Sequence, residues 1–266
     1  MMRIGRFYLA LFLFTNLMQL GQAAQEPVSE HYVGVAYTRT GGKMLYSEEH
    51  WIMLGPGSGR RVVLYRCPDG QPFARKQLYG QTDDATPDFD LYDRRDGYRE
   101  GVEGRGGERQ VYVQRNQAAP RRSARLATPQ NAVIDAGFDA YLRSHWDALG
   151  KGEGTNIAFL LPSRLAYINL KIQVHDRIIK NSPLREFSLS LNAWYGFVVP
   201  SIDVTYSMLD RRLLSFAGVS NVRDNRGDTQ QVRIVFLPDK RYPPPSQQQI
   251  RHAETEPLVS HCSMEN

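Results

Sequence analysis

Six histidines are spread along the chain, at His31, His50, His145, His175, His252 and His261. None belongs to an HExxH string or an i, i+4 pair, so the spacing gives no support to a helical zinc site. His145 stands out because it lies beside Trp146 on the apolar face of an expected helix. As a general base it would need a carboxylate and a nucleophile brought to it by the fold. Without them it is a hydrogen-bonded histidine of the core or its rim. Asp83, Asp84, Asp88, Asp90, Asp93 and Asp96 crowd one stretch. Such hard oxygen ligands suit calcium, but the spacing departs from the EF-hand loop. Arg94 and Arg95 also offset the charge, so a solvated, self-paired surface is expected. Gly55-Pro56-Gly57-Ser58-Gly59 lacks the Lys-Ser/Thr of a phosphate loop and reads as a hairpin connection. Arg121, Arg122 and Arg125 form a small basic cluster, either a solvated loop or a contact for lipid phosphate or another anion. No catalytic residue, metal ligand or cofactor is assigned from these patterns.

Cys67 and Cys262 are the two cysteines. In an oxidising compartment they can pair, tying the tail to the turn at Cys67-Pro68-Asp69-Gly70. The other reading is a buried thiol at Cys67 and a free thiol in a loose tail. Their separation forms neither a CxxC redox motif nor a zinc site.

The compartment is read from the first residues. Arg3 and Arg6 precede an apolar run from Phe7 to Leu20, 14 residues long, and Gly21-Gln22-Ala23 places small residues before a cut at Ala24. The run is short of the ~20 apolar residues that span a bilayer. Residues 1–23 are therefore expected to be a cleaved signal peptide, giving a periplasmic or secreted protein with no stable transmembrane anchor. Its loss removes two charges from the formal net charge of +5. The remaining basicity is slight, and nucleic acid is not an expected partner.

Period-two alternation of apolar and polar residues organises the rest. It is clearest in Ile202, Val204, Tyr206 and Met208, in Ala166 to Val174, and in Phe187, Leu189 and Leu191. Further strands are predicted at 31–39, 43–54, 60–66, 72–79, 88–93, 108–115 and 232–236. Glycine- and aspartate-rich turns follow at intervals short enough for hairpins. One helix, about 129–149, is predicted from Thr128 as N-cap, Pro129 at its first position and Gly150 at its end. A shorter helical turn is predicted from Asn192 to Val199. Residues 116–127 read as a loop. The fold expected is mainly β: a curved antiparallel sheet or incomplete β-barrel of about ten strands, with an amphipathic helix in its concave face. Residues 24–238 would form a single domain, and 239–266 a proline-rich tail without packed structure unless Cys262 pins it.

Several strings carry a resemblance: Val133-Ile134-Asp135-Ala136-Gly137-Phe138-Asp139, Trp146-Asp147-Ala148-Leu149, Phe159 to Leu165, and Gly218-Val219-Ser220-Asn221-Val222-Arg223-Asp224. Together they are similar to exported proteobacterial proteins of unknown function, over much of residues 60–237. That resemblance names no activity and no functional residue. In topology alone, the expected architecture resembles the periplasmic lipoprotein carriers, whose curved sheet wraps helices and holds acyl chains.

These readings converge on an exported, non-enzymatic envelope protein that binds an apolar or lipid-like ligand in a half-barrel cavity. The expected wall is Phe138, Tyr141 and Trp146 from the helix, with Ile168, Leu170, Ile172, Leu189, Leu191, Val204 and Tyr206 from the strands. Two other readings remain open. One is an assembly protein whose sheet edge pairs with an envelope partner. The other is an exported hydrolase built on His145.

Overall fold

The computed structural model describes residues 28–54, 59–80, 84–104, 106–152, 154–191, 201–237 and 242–263. The expected signal peptide, the expected helical turn at 192–199 and Asp83 lie outside the described residues.

The first half of the chain is a meander of eight strands. These are β1 (Val28–Thr38), β2 (Met44–Leu54), β3 (Gly59–Arg66), β4 (Pro72–Gly80), β5 (Asp88–Asp93), β6 (Tyr98–Glu103), β7 (Glu108–Gln114) and β8 (Arg122–Ala127). A short β9 (Ala132–Val133) precedes two helices, α1 (Gly137–Ser144) and α2 (Trp146–Leu149). A second meander follows: β10 (Thr155–Leu161), β11 (Ala166–Ile179), β12 (Ser182–Leu191), β13 (Ile202–Ser207), β14 (Leu213–Arg223) and β15 (Thr229–Phe236). The last element is α3 (Gln247–Thr255).

Among the described residues all strands join one 15-stranded sheet in the order 8-7-6-5-4-3-2-1-15-14-13-12-11-10-9. Every pairing is antiparallel except the short β9–β10 contact. Each meander is a run of hairpins, and β1 pairs with β15 to join the two, for instance Val35 with Val235. The two edge strands, β8 and β9, are consecutive in the chain. Backbone hydrogen bonds from Thr128 N to Gly107 O and from Ile134 N to Ala85 O tie their connection to the first meander, each 2.9 Å. The 3₁₀ turn at Pro162–Arg164 packs on β6 and β7. The sheet therefore curves until its two ends meet, without a hydrogen-bonded ladder to close it. Gly137 sits at this seam, where a Cβ would collide with the Ala85 carbonyl.

The mainly β architecture expected from the alternation is present, with more strands than expected. Residues 122–127, where a loop is expected, form β8. They run Arg-Ser-Ala-Arg-Leu-Ala, with polar residues on both faces, as an edge strand tolerates. β6 was missed for a different reason: its inward positions include Glu100, which breaks the apolar alternation.

The helix also differs. Ala132 and Val133 pair with β10 instead of coiling, and Asp135 takes a left-handed backbone (φ 45°). α1 begins only at Gly137, with no side-chain cap at Ala136. Tertiary pairing of β9 and the ion pair of Asp135 with Lys76 override the Thr128-Pro129 start signal. The helix breaks again at His145, where the His145 ring and the Ser144 hydroxyl both approach the Tyr141 carbonyl at 3.0 Å.

The tail is not loose. Ser246 and Gln249 form a capping box that starts α3, and Ile250 and Ala253 pack on Trp51, Val62 and Leu64 of the outer face. Arg66 binds both oxygens of Glu256 at 2.9 Å. A Cys67–Cys262 disulfide closes the arrangement, Cα to Cα 5.4 Å. Of the two cysteine readings, the bridge is the one the structure shows. Among the described residues no helix is long and apolar enough to cross a membrane.

Candidate functional site

The two meanders enclose a cavity of about 860 Å³, within the range of ligand pockets. Strand register explains its character. In the first meander one inward row runs Tyr32, His50, Val63, Lys76, Leu91, Glu100 and Val113 from β1 to β7. Polar side chains occupy this row at β2, β4 and β6, positions that alternation reserves for the interior. In the second meander a corresponding row runs Val174, Phe187, Val204, Phe216 and Ile234, and continues to Ala36 of β1. It is apolar throughout. Of these rows, Tyr32, Lys76 and Glu100 line the cavity from the first meander and Val204 and Phe216 from the second, which gives it a more polar and a more apolar side.

The polar wall is a set of paired groups. Lys76 Nζ lies 2.9 Å from Asp135 Oδ2, both side chains almost fully buried. Asn221 Nδ2 donates to the other oxygen of Asp135 at 3.2 Å. The Tyr98 hydroxyl donates to Glu100 Oε2 at 2.6 Å. Burial is the main cause that pushes the Glu100 carboxyl up to about 6, against the Tyr98 hydrogen bond that lowers it. Arg61 Nη2 donates to the Tyr32 hydroxyl and to His50 Nδ1, each at 3.1 Å. Because Nδ1 accepts, Nε2 carries the proton and donates to Glu48 Oε2 at 3.3 Å. Burial holds His50 down to about 4, so the ring is neutral at physiological pH, as this relay requires. The same burial raises the Tyr32 hydroxyl to about 12. From α1, Asp139 accepts from Arg143 Nε at 3.0 Å and from the Tyr206 hydroxyl at 2.8 Å.

The structure divides the ten residues expected to form the apolar wall. Phe138, Leu189, Val204 and Tyr206 line the cavity. Tyr141, Trp146, Leu170 and Ile172 are instead buried beneath the helices, with Ile168 and Leu191 packed against that cluster. The alternation identified their common face but not which part of it α1 and α2 would cover. Trp146 stands edge-on to Phe187 and Tyr206, centroids 5.5 and 5.8 Å apart, and fills that end of the half-barrel.

His145 lies outside the cavity. It is exposed, stacked on Tyr141 at 4.2 Å and in contact with the Ser144 hydroxyl, and no carboxylate pairs with it among the described residues. The aspartates of 84–96 pair with cations or cap turns: Asp88 with Arg109, Asp90 with Arg99 and Asp93 with Arg95, each at 2.7 Å. Among the described residues no group of three His, Cys, Asp or Glu is placed to hold a metal. Arg121 lies over the Tyr112 ring, 3.7 Å from its centroid, rather than in a basic site.

The sequence reading missed Tyr32, Arg61, Lys76, Tyr98, Glu100 and Asp139. The signal was present: Lys76 sits between Ala74 and Leu78, and Glu100 between Tyr98 and Val102, all on the buried side of their strands. A charge at an inward position of a strand marks a site or a buried pair. No family model matches the chain, and no curated protein or solved structure matches it.

Proposed function

We propose that this is an exported envelope protein that binds an apolar or lipid-like ligand in the cavity between the two meanders, and that it catalyses no reaction. The observation that carries this reading is the cavity itself: about 860 Å³, walled on one side by Leu189, Val204, Phe216 and Phe236 of β12–β15 and by Phe138 of α1. Burying an alkyl chain there is worth roughly 0.8 kcal/mol per CH₂, so modest chain length suffices for binding. The disulfide suits an oxidising, extracytoplasmic compartment. On the polar side Lys76 pairs with Asp135, Arg143 with Asp139, and the Tyr98 hydroxyl bonds Glu100.

Ala140 provides the test. It is half-buried on α1 and lines the cavity. Ala140→Trp should fill the space while leaving the buried helix contacts of Tyr141 and Leu142 in place. The expected result is at least tenfold weaker uptake of the neutral fluorescent probe N-phenylnaphthylamine, with near-native circular dichroism. Undiminished uptake by a folded variant would place the apolar site elsewhere.

A further inference from the structure

Among the described cations that line the cavity, Arg61 alone has no carboxylate in contact. Lys76 is paired with Asp135 and Arg143 with Asp139. Arg61 has only the Tyr32 hydroxyl and the neutral His50 ring as hydrogen-bond partners among the described residues, and both are held by Nη2. Its Nε is a buried donor with no acceptor among them. Three carboxylates act on the guanidinium from farther off: Asp139, Asp135 and Glu48. Each is engaged elsewhere, Asp139 by Arg143 and Tyr206, Asp135 by Lys76 and Asn221, Glu48 by His50. Arg61 is half-buried, and a guanidinium with a buried, unsatisfied donor is costly unless an anion meets it. Arg61 also lines the cavity. Phe138 and Asp139 of α1 line the same cavity, Phe138 at the start of its apolar side.

We propose that the ligand is a single-chain anionic amphiphile, with its carboxylate or phosphate on the Arg61 guanidinium and its chain along Phe138, Leu189, Val204 and Phe216. This inference rests on the cavity-binding reading and adds the chemistry of the head group. The planar fork of arginine suits such oxyanions. The neutral His50 ring, itself bonded to Glu48, holds the fork by Nη2 and leaves the rest of it available. The Tyr32 hydroxyl stands beside it as a further polar group, with its own proton kept on by burial.

The test is competition against N-phenylnaphthylamine bound to the full chain, at neutral pH. The competitors share one alkyl chain: dodecanoate, dodecyl phosphate, dodecanol and dodecyltrimethylammonium. The wild-type protein should bind dodecanoate or dodecyl phosphate, or both, at least tenfold more tightly than dodecanol. The better of the two anions identifies a carboxylate or a phosphate head as the source. Arg61→Gln should erase that preference and leave dodecanol binding unchanged, and Arg61→Lys should retain part of it. Melting curves of both variants establish that they are folded. Equal binding of anion and alcohol by the wild type would overturn the head-group assignment while leaving the cavity reading intact, as would tighter binding of the cation. A preference for the anion that survives in folded Arg61→Gln would also overturn it. Failure of the wild type to take up the probe or any of the four would overturn both.

Discussion

Carrying an ion from water into a protein interior costs several kcal/mol even after relaxation. Lys76 and Asp135 meet that cost by pairing at 2.9 Å, and Asp135 accepts a further bond from Asn221. Glu100 has no such cation in contact. Its carboxyl is raised to about 6, so the folded state keeps a proton that the unfolded chain has released above its ordinary value of 4.5. The resulting stability is fully present below about 4.5 and is lost as the pH rises through 6. Glu100→Gln keeps the shape, the hydrogen-bonding capacity and the neutral charge of the protonated acid. It should therefore be more stable than wild type above pH 6 by about 2 kcal/mol, the equivalent of the shift. The two proteins should converge below pH 4.5. Urea midpoints across this range measure the difference. His50 contributes the opposite slope, since its ring is held neutral down to about 4, but that slope is common to both proteins and drops out of the comparison. A difference that does not change with pH would mean that Glu100 is ionised in the folded protein.

At the scale of elements, legibility followed hydrophobic contrast. The strands with one apolar and one polar face were read within a few residues: β3, β4, β5 and β13 lie almost as the alternation places them. Elements determined by distant partners were not. β9 exists because β10 receives it, and α1 starts late because Asp135 is held by Lys76 of β4. The capping signal at Thr128-Pro129 is local and loses to these contacts. The tail shows the same rule in reverse: its composition is that of a loose segment, yet its Ser246–Gln249 capping box is a helix-start signal, and Cys262 and Glu256 find partners in β3 and the following turn. Replacing both Cys67 and Cys262 by Ser removes the cross-link and should lower stability by about 2–4 kcal/mol. Hydrogen exchange should quicken first at the amides of α3, while those of β10–β13 stay protected. Unchanged exchange in α3 would show that the Arg66–Glu256 pair and the Ile250 contacts hold the tail without the bridge.

At the scale of the molecule, two meanders close into one curved sheet because β1 accepts β15 on its free side and the chain between β8 and β9 returns to the seam. Sequence alone gives no such long-range pairing, since alternation says which face a residue shares but not which strand stands across the interior. That is why the apolar half of the candidate site was legible in outline and the polar half was not. Lys76, Glu100 and Arg61 acquire meaning only when their strands are set side by side and turned towards β13 and β14. The arrangement that results, a polar row facing an apolar row across about 860 Å³, is the basis for the ligand-binding account.

An apolar or lipid-like ligand held in the cavity adds to the protein's mass. The full chain would be expressed with residues 1–23 in place, purified without detergent, and measured by native mass spectrometry before and after organic extraction. It would then be measured again after incubation with lipids extracted from the producing cells. The expected result is an added non-covalent mass of a few hundred daltons or more that is lost on extraction and regained on incubation, and that Ala140→Trp fails to acquire. A bare mass before extraction and again after incubation with lipid would contradict it.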